Sequence, residues 1–272
     1  MTKLPRDFIG PIKDCGKKEN IIALSCATIT TVALLPYDQQ ALCESRKIGE
    51  RIGLDENVTY DKVANITVVT PSNITSSLFL CGSKVTPIVL GIGFATYGLF
   101  KNDYRSLHTA SGLVESTIIT GIFSQTFKRI SGRQEPHVAM ETGNPGGKWS
   151  PFPGLDEYED DPTNYSSFSS GHIMTATAAL YVITGNYPEY KWIKPLGIAI
   201  IIALGFQMAQ SNIHWYSDYP LSLVMGYIIG KNIAKSKFVS QNSKNGKTGK
   251  YSFKFNAKKI DGINTIGTTL TF

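Results

Sequence analysis

Two of the four histidines in this chain stand where they can do chemistry. His214 precedes Asp218 by four residues in "NIHWYSDYP", a spacing that predicts both side chains on one face of a helix. A carboxylate on one imidazole nitrogen fixes the tautomer and strengthens the other nitrogen as a nucleophile. His172 lies in "SFSSGHIMTATAALY", where hydroxyls and a glycine lead into an apolar run, the pattern of a helix N-terminus. The N–H groups of Ser170, Gly171 and His172 are then expected to point outward with the positive end of the helix dipole, a ready anion site. A third stretch, "KRISGRQEP", gathers Lys128, Arg129 and Arg133 ahead of Glu135 and Pro136. Nucleophile, second imidazole and cationic grip together suit the transfer of an anionic group.

In this order, a lysine-led segment closing on proline, then S-G-H, then H-x-x-x-D, the chain resembles the type 2 phosphatidic acid phosphatase (PAP2) and vanadium haloperoxidase superfamily over roughly residues 127–235. The family pattern is K-x6-R-P, then P-S-G-H, then S-R-x5-H-x3-D. Lys128 and Pro136 match the ends of the first motif, with Gly132 and Arg133 resembling the G-R that bacterial members carry there. Ser170, Gly171 and His172 match the second motif, with Ser169 in the proline's place, and His214 and Asp218 match the third. Both phosphate-binding arginines are missing: Glu135 replaces the first, and Gln207 and Met208 replace the S-R pair. Glutamate repels phosphate where arginine's fork would bind it.

The resemblance implies a metal-independent phosphatase with no cofactor. His214, oriented by Asp218, forms a phosphohistidine, and His172 protonates the leaving oxygen. Lys128, Ser170 and the Gly171 N–H hold phosphate, with Arg133 or Arg129 standing in for a missing arginine. Glu135 is expected to pair with Arg129 or Arg133. The implied partner is a phosphorylated lipid or other amphiphile, such as phosphatidate, a polyprenyl diphosphate or a lipid A phosphate. Two alternatives follow from the departures: a weak or inactive relative that binds a phosphorylated lipid or envelope partner, and, ranked after it, a vanadium-dependent haloperoxidase.

The elements that must position these residues are apolar blocks, at roughly 21–36, 76–100, 106–127, 171–186, 193–210 and 217–235. Their lengths suit membrane helices or buried bundle helices. The expected fold is therefore all-α, a PAP2-like bundle of about six long helices, membrane-spanning, with a short C-terminal β-hairpin. Residues 1–20 form a polar N-terminal segment without signal-peptide features, residues 21–236 the helical domain, and residues 237–272 a polar linker and hairpin around "KIDGIN". The stretch at 134–169 is acidic and turn-rich, as expected of a structured loop or lid.

Net charge is +6, yet no basic run is interleaved with aromatics, which argues against a nucleic-acid partner. With six spans and an inward N-terminus, most lysines and arginines, the tail's included, fall on the inner side, as the positive-inside rule expects. That places both termini in the cytoplasm and the site on the outer or periplasmic face of an envelope membrane. Cys15, Cys26, Cys43 and Cys81 show neither metal-ligand nor disulfide spacing and are expected to be small buried hydrophobes.

Overall fold

The computed structural model describes residues 4–62, 69–245, 252–260 and 263–271, and the chain divides into two compact units, Met1–Lys235 and Ser236–Phe272. Helix α1 (Leu4–Cys15) is followed by α2 (Lys18–Leu34), which continues through a 3-10 turn at Leu35–Tyr37 into α3 (Asp38–Arg51). The antiparallel pair β1 (Tyr60–Lys62) and β2 (Val69–Pro71) leads to α4 (Ile74–Gly82), α5 (Val85–Lys101) and α6 (Tyr104–Ser131). Short helices α7 (Pro136–Glu141) and α8 (Leu155–Asp160) occupy the turn-rich stretch. After it come α9 (Gly171–Asn186), α10 (Ile193–Gln210) and α11 (Tyr219–Asn245). The fold is all-α, in agreement with the apolar periodicity.

Helix α9 is the centre of the helical unit, with a core on each side. Met174, Ala178 and Val182 pack with Leu113 and Ile119 of α6 and with Met225, Ile229 and Ile233 of α11. Ile173 and Leu180 pack with Ile201, Leu204 and Met208 of α10. Two glycines one helical turn apart let α11 approach α9 at backbone distance. A Cβ on Gly226 would stand 2.5 Å from the Met174 carbonyl oxygen, and one on Gly230 2.4 Å from that of Ala178, so only hydrogen fits there. Two buried threonines of α6 bond back to their own helix: Thr117 Oγ1 donates to the Leu113 carbonyl at 2.9 Å and Thr120 Oγ1 to that of Ser116 at 2.8 Å. Burying them therefore leaves no polar group unmet.

The six expected apolar blocks do not all qualify as membrane spans. Among the described residues, two helical segments are long and apolar enough, Lys18–Arg51 and Ile193–Gln210, or up to three if the bent pair Ile74–Gly82 and Val85–Lys101 counts as one. These segments carry outward-facing apolar side chains, among them Ile29 and Val32 on α2, Ile92 and Leu99 on α5, and Leu196 and Ile202 on α10. Apolar surface of that kind fits a membrane. Helix α9 instead spends its apolar residues on the core, whereas α6 divides them, with Leu113 and Ile119 buried and Val114, Ile118, Ile122 and Ile130 exposed. The block at 76–100, read as one helix, is broken by 70°. Pro87 has no N–H for a carbonyl one turn back, so it sits in the first turn of a new helix, and Thr86 Oγ1 donates to the Leu80 carbonyl at 2.6 Å.

In the second unit β3 (Ser252–Ile260) pairs antiparallel with β4 (Ile263–Thr271), Ser252 opposite Thr271 and Ile260 opposite Ile263. The expected hairpin is present, while its Asp261–Gly262 turn lies outside the described residues, as do residues 246–251 of the expected linker. The earlier part of that linker is helical, not irregular, since no glycine or proline interrupts "KFVSQNSKN" and α11 runs on to Asn245. The cysteine expectation also needs correction. All four are free, but Cys26 and Cys43 are exposed, on the outward faces of the Lys18–Arg51 segment.

Candidate functional site

Gly132 ends α6 in the left-handed region (φ 54°), and a Cβ there would lie 1.7 Å from the Ser150 carbonyl oxygen. Only glycine allows the chain to turn so sharply, and the turn drives Arg133 into the protein. The Arg133 side chain is fully buried, between the rings of Trp149 and Trp215 at 4.9 and 5.1 Å from their centroids. Its Nη1 donates to Asp218 Oδ1 at 2.7 Å and Ser217 Oγ at 2.6 Å, and its Nη2 to Asp38 Oδ2 and the Gly146 carbonyl, each at 2.8 Å. The guanidinium is thus occupied by carboxylates. This corrects the expectation that Arg133 replaces a phosphate-binding arginine: its fork faces two buried acids, which hold it more strongly than an incoming anion could.

Asp218 stands at the centre of this network. Its Oδ2 accepts from Ser167 Oγ at 2.6 Å and from the Trp215 N–H at 2.9 Å. Burial works to raise its pKa, but the Arg133 charge, His214 and Ser167 outweigh it and hold the carboxyl below its ordinary value. His214 is likewise buried, with Nδ1 3.5 Å from Asp218 Oδ2, an ion-pair contact that does not meet hydrogen-bond geometry. A proton on Nδ1 would face the carboxylate and leave the Nε2 lone pair free. The four-residue spacing does not come from a helical face, as expected, because His214 is in the loop after α10. The turn is made by Asp218 itself, which caps the Trp215 N–H at a 3-10 turn over Tyr216–Asp218.

The second histidine enters from α9. Ser170 is the N-cap, its Oγ accepting from the Ile173 N–H at 3.5 Å, while its own N–H donates to the Asp218 carbonyl at 3.4 Å. That bond ties the start of α9 to the His214 loop. Gly171 begins the helix against α6, where a Cβ would meet Ser124 Oγ at 2.8 Å. Its N–H is one of the first-turn donors that a helix cannot satisfy internally. The His172 ring lies against Phe79 of α4, with centroids 4.3 Å apart and the planes tilted by 39°, and stands edge-on to His214 at 6.4 Å. Burial above all, then His214, Lys128 and Lys84, push the His172 pKa down to about 3.

Lys128, in the last turn of α6, forms no ion pair or side-chain hydrogen bond among the described residues. Burial lowers its pKa, Glu135 and Asp218 work to raise it, and Lys84 to lower it. Glu135 does not pair with Arg129 or Arg133 as expected. It accepts from Ser166 Oγ and lies 3.7 Å from His137 Nδ1, while Arg129 lies over the Tyr158 ring at 3.8 Å. Met208 is fully buried in the apolar cluster of α9 and α10, and its carbonyl accepts from the Ile213 N–H at 2.9 Å. Gln207 Nε2 donates to Ser211 Oγ at 3.1 Å.

The structure therefore brings His172, His214, Asp218, Ser170, Gly171 and Lys128 to one place and sets Arg133 behind them. It adds Asp38, Ser167, Ser217 and Trp215, which were not predicted. Ser167 and Ser217 flank the motif histidine and aspartate and were open to suspicion, whereas Asp38 lies 95 residues from Arg133 with no local signal. Asp38 Oδ1 also accepts from the Ser217 N–H at 3.0 Å, so the break between α2 and α3 clamps the turn that carries Asp218.

Compared with family models, residues 109–241 match the one described as the PAP2 superfamily. No curated protein and no solved structure matches the chain.

Proposed function

We propose, because this chain belongs to the PAP2 superfamily over residues 109–241, that it hydrolyses a phosphate monoester or diphosphate of a lipid or other amphiphile through a phosphohistidine. Membership points to phosphatase-type activity, and the apolar helices point to a membrane. The observation that carries the finer reading is the pair of imidazoles at 6.4 Å, one backed by Asp218 and the other at the start of α9. A single phosphoryl group fits between rings at that separation, within reach of both.

In the first step the Nε2 lone pair of His214 attacks phosphorus and the bond from phosphorus to the ester oxygen breaks. Protonated His172 gives its proton to that oxygen. In the second, neutral His172 takes a proton from water, the resulting hydroxide attacks phosphorus, and the bond to His214 breaks, releasing phosphate. Lys128, Ser170 Oγ and the Gly171 N–H hold the non-bridging oxygens. Asp218 and Asp38 against the single charge of Arg133 leave net negative charge behind His214, which favours the cationic imidazole of the intermediate. In the free site His172 is neutral at ordinary pH, so its proton must arrive with the substrate, whose anionic charge raises the pKa of a neighbouring imidazole.

Positions 135 and 208 favour a second reading, a relative that binds a phosphorylated ligand with little turnover. One experiment separates the two: phosphate release by the detergent-extracted protein from a panel of phosphorylated lipids, with His214→Ala alongside. Vanadate-sensitive release that the variant lacks supports hydrolysis. Equal release by both proteins refutes it, and saturable binding without release supports the second reading.

A further inference from the structure

The proposed phosphatase lacks a guanidinium at both places where its family puts one, and the arginine nearest in sequence is committed to carboxylates. Another cation stands at the site. Lys84 lies in the break between α4 and α5, a segment outside all three motifs. An ionisable residue within a broken apolar segment is expensive to keep unless it faces protein or a ligand. Lys84 faces α6: a Cβ placed on Gly121 would stand 3.7 Å from its Nζ. The end of α4 is itself against the second histidine. Phe79 packs against the His172 ring at a centroid distance of 4.3 Å, and a Cβ on Gly82 would lie 3.0 Å from His172 Cβ.

One face of α6 orders these groups. Gly121, Ser124 and Lys128 recur at helical spacing along about 10 Å of axis. Lys84 approaches at Gly121, the start of α9 at Ser124, and Lys128 belongs to the third position. Side chains on a helix tilt toward its N-terminus, a direction in keeping with the influence of the Lys128 ammonium on His172 at the start of α9. The first-turn N–H groups of α9 are thus bracketed by two ammonium groups, neither paired with a carboxylate among the described residues. Lys84 is also accessible from outside the protein. Its charge contributes to the low basicity of both His172 and Lys128, in keeping with the same closeness.

We propose that Lys84 is a second phosphate-binding lysine, meeting the phosphoryl group from the side opposite Lys128 and supplying charge that positions 135 and 208 lack. This deepens the phosphatase reading and rests on it for the reaction, but not for the anion site. The test uses the full chain in detergent, with inorganic phosphate and orthovanadate as probes, measuring affinity by calorimetry and, separately, turnover. Lys84→Gln is expected to weaken both anions about tenfold or more, close to 1.4 kcal/mol, and to raise KM more than it lowers kcat. Lys84→Arg should stay within about threefold of the native affinity, and Lys101→Gln, at the far end of α5, should change nothing. If Lys84→Gln binds both anions as the native chain does, or if Lys101→Gln weakens them equally, the assignment is wrong. Loss of binding in Lys84→Gln without native turnover would keep the anion site and remove the hydrolase. Native turnover that Lys84→Gln leaves intact would do the reverse.

Discussion

Replacing Arg133 by methionine separates a phosphate-binding arginine from one that positions the site. Arg133 is fully buried and meets two buried carboxylates, Asp38 and Asp218, at 2.8 and 2.7 Å. Removing one partner of a buried ion pair costs about 3–5 kcal/mol, because the remaining charge is left without solvent or counter-ion. Here two carboxylates lose their partner, so the upper end is expected, against a total stability of about 5–15 kcal/mol. In a unit of this size each kcal/mol lowers the midpoint by about 2–4 °C, so Arg133→Met should melt roughly 10–20 °C early. Adding Asp38→Asn removes one of the stranded charges and should recover part of that loss. Turnover should fall about a hundredfold through kcat as the Asp218–His214 geometry loosens, with KM nearly constant because the guanidinium does not face the substrate. Thermal unfolding in detergent and phosphate-release kinetics measure the two effects. A variant that melts within about 2 °C of the native chain, with kcat intact and KM raised, would refute this account and restore Arg133 as a phosphate ligand.

His172 sets an acid limit on stability. Its folded pKa of about 3 lies below the ordinary 6.5, so the unfolded chain binds a proton that the folded chain refuses between those values, and stability falls as pH drops from about 6.5 towards 3. His172→Phe should flatten that decline in pH-dependent melting; an unchanged slope would contradict it. Gly226→Val forces a side chain against the Met174 carbonyl oxygen, 2.5 Å from the first added carbon, and should cost about 1–3 kcal/mol by denaturant or thermal unfolding. Met208→Arg returns the family's residue to a position enclosed by Ile173, Leu204 and Tyr219. Its expected outcome is a lower melting temperature and no gain in phosphate release, and a large gain in turnover would show that the side chain reaches the site.

What could be read from sequence, and what could not, follows from how far each signal reaches along the chain. The S-G-H cap, the glycine after α6 and the His214–Asp218 spacing are local, so the residues that meet at 6.4 Å could be named before their geometry was known. The reason for the last spacing could not, because a tight turn and a helix place residues i and i+4 together equally well, and only the carboxylate's bond to the Trp215 N–H decides between them. The positions of the long apolar helices were legible, but membrane crossing was not. The apolar residues of α9 face α6, α10 and α11 while those of α2 face outward, and hydropathy treats the two alike. Arg133 and Glu135 illustrate the same limit within three residues. Charge alone paired them with each other, whereas the fold gives Arg133 a partner 95 residues upstream and Glu135 a serine 31 residues downstream. Lys84 and Pro87 both interrupt the apolar block at 76–100. Their joint meaning, that the proline opens a break and the break can deliver a lysine to the proposed phosphate site, needs the contact with Gly121 across 37 positions of chain. An ammonium brought in from outside the motifs can replace charge at the site without restoring the motif, so the absence of arginine at 135 and 208 does not by itself make the site silent.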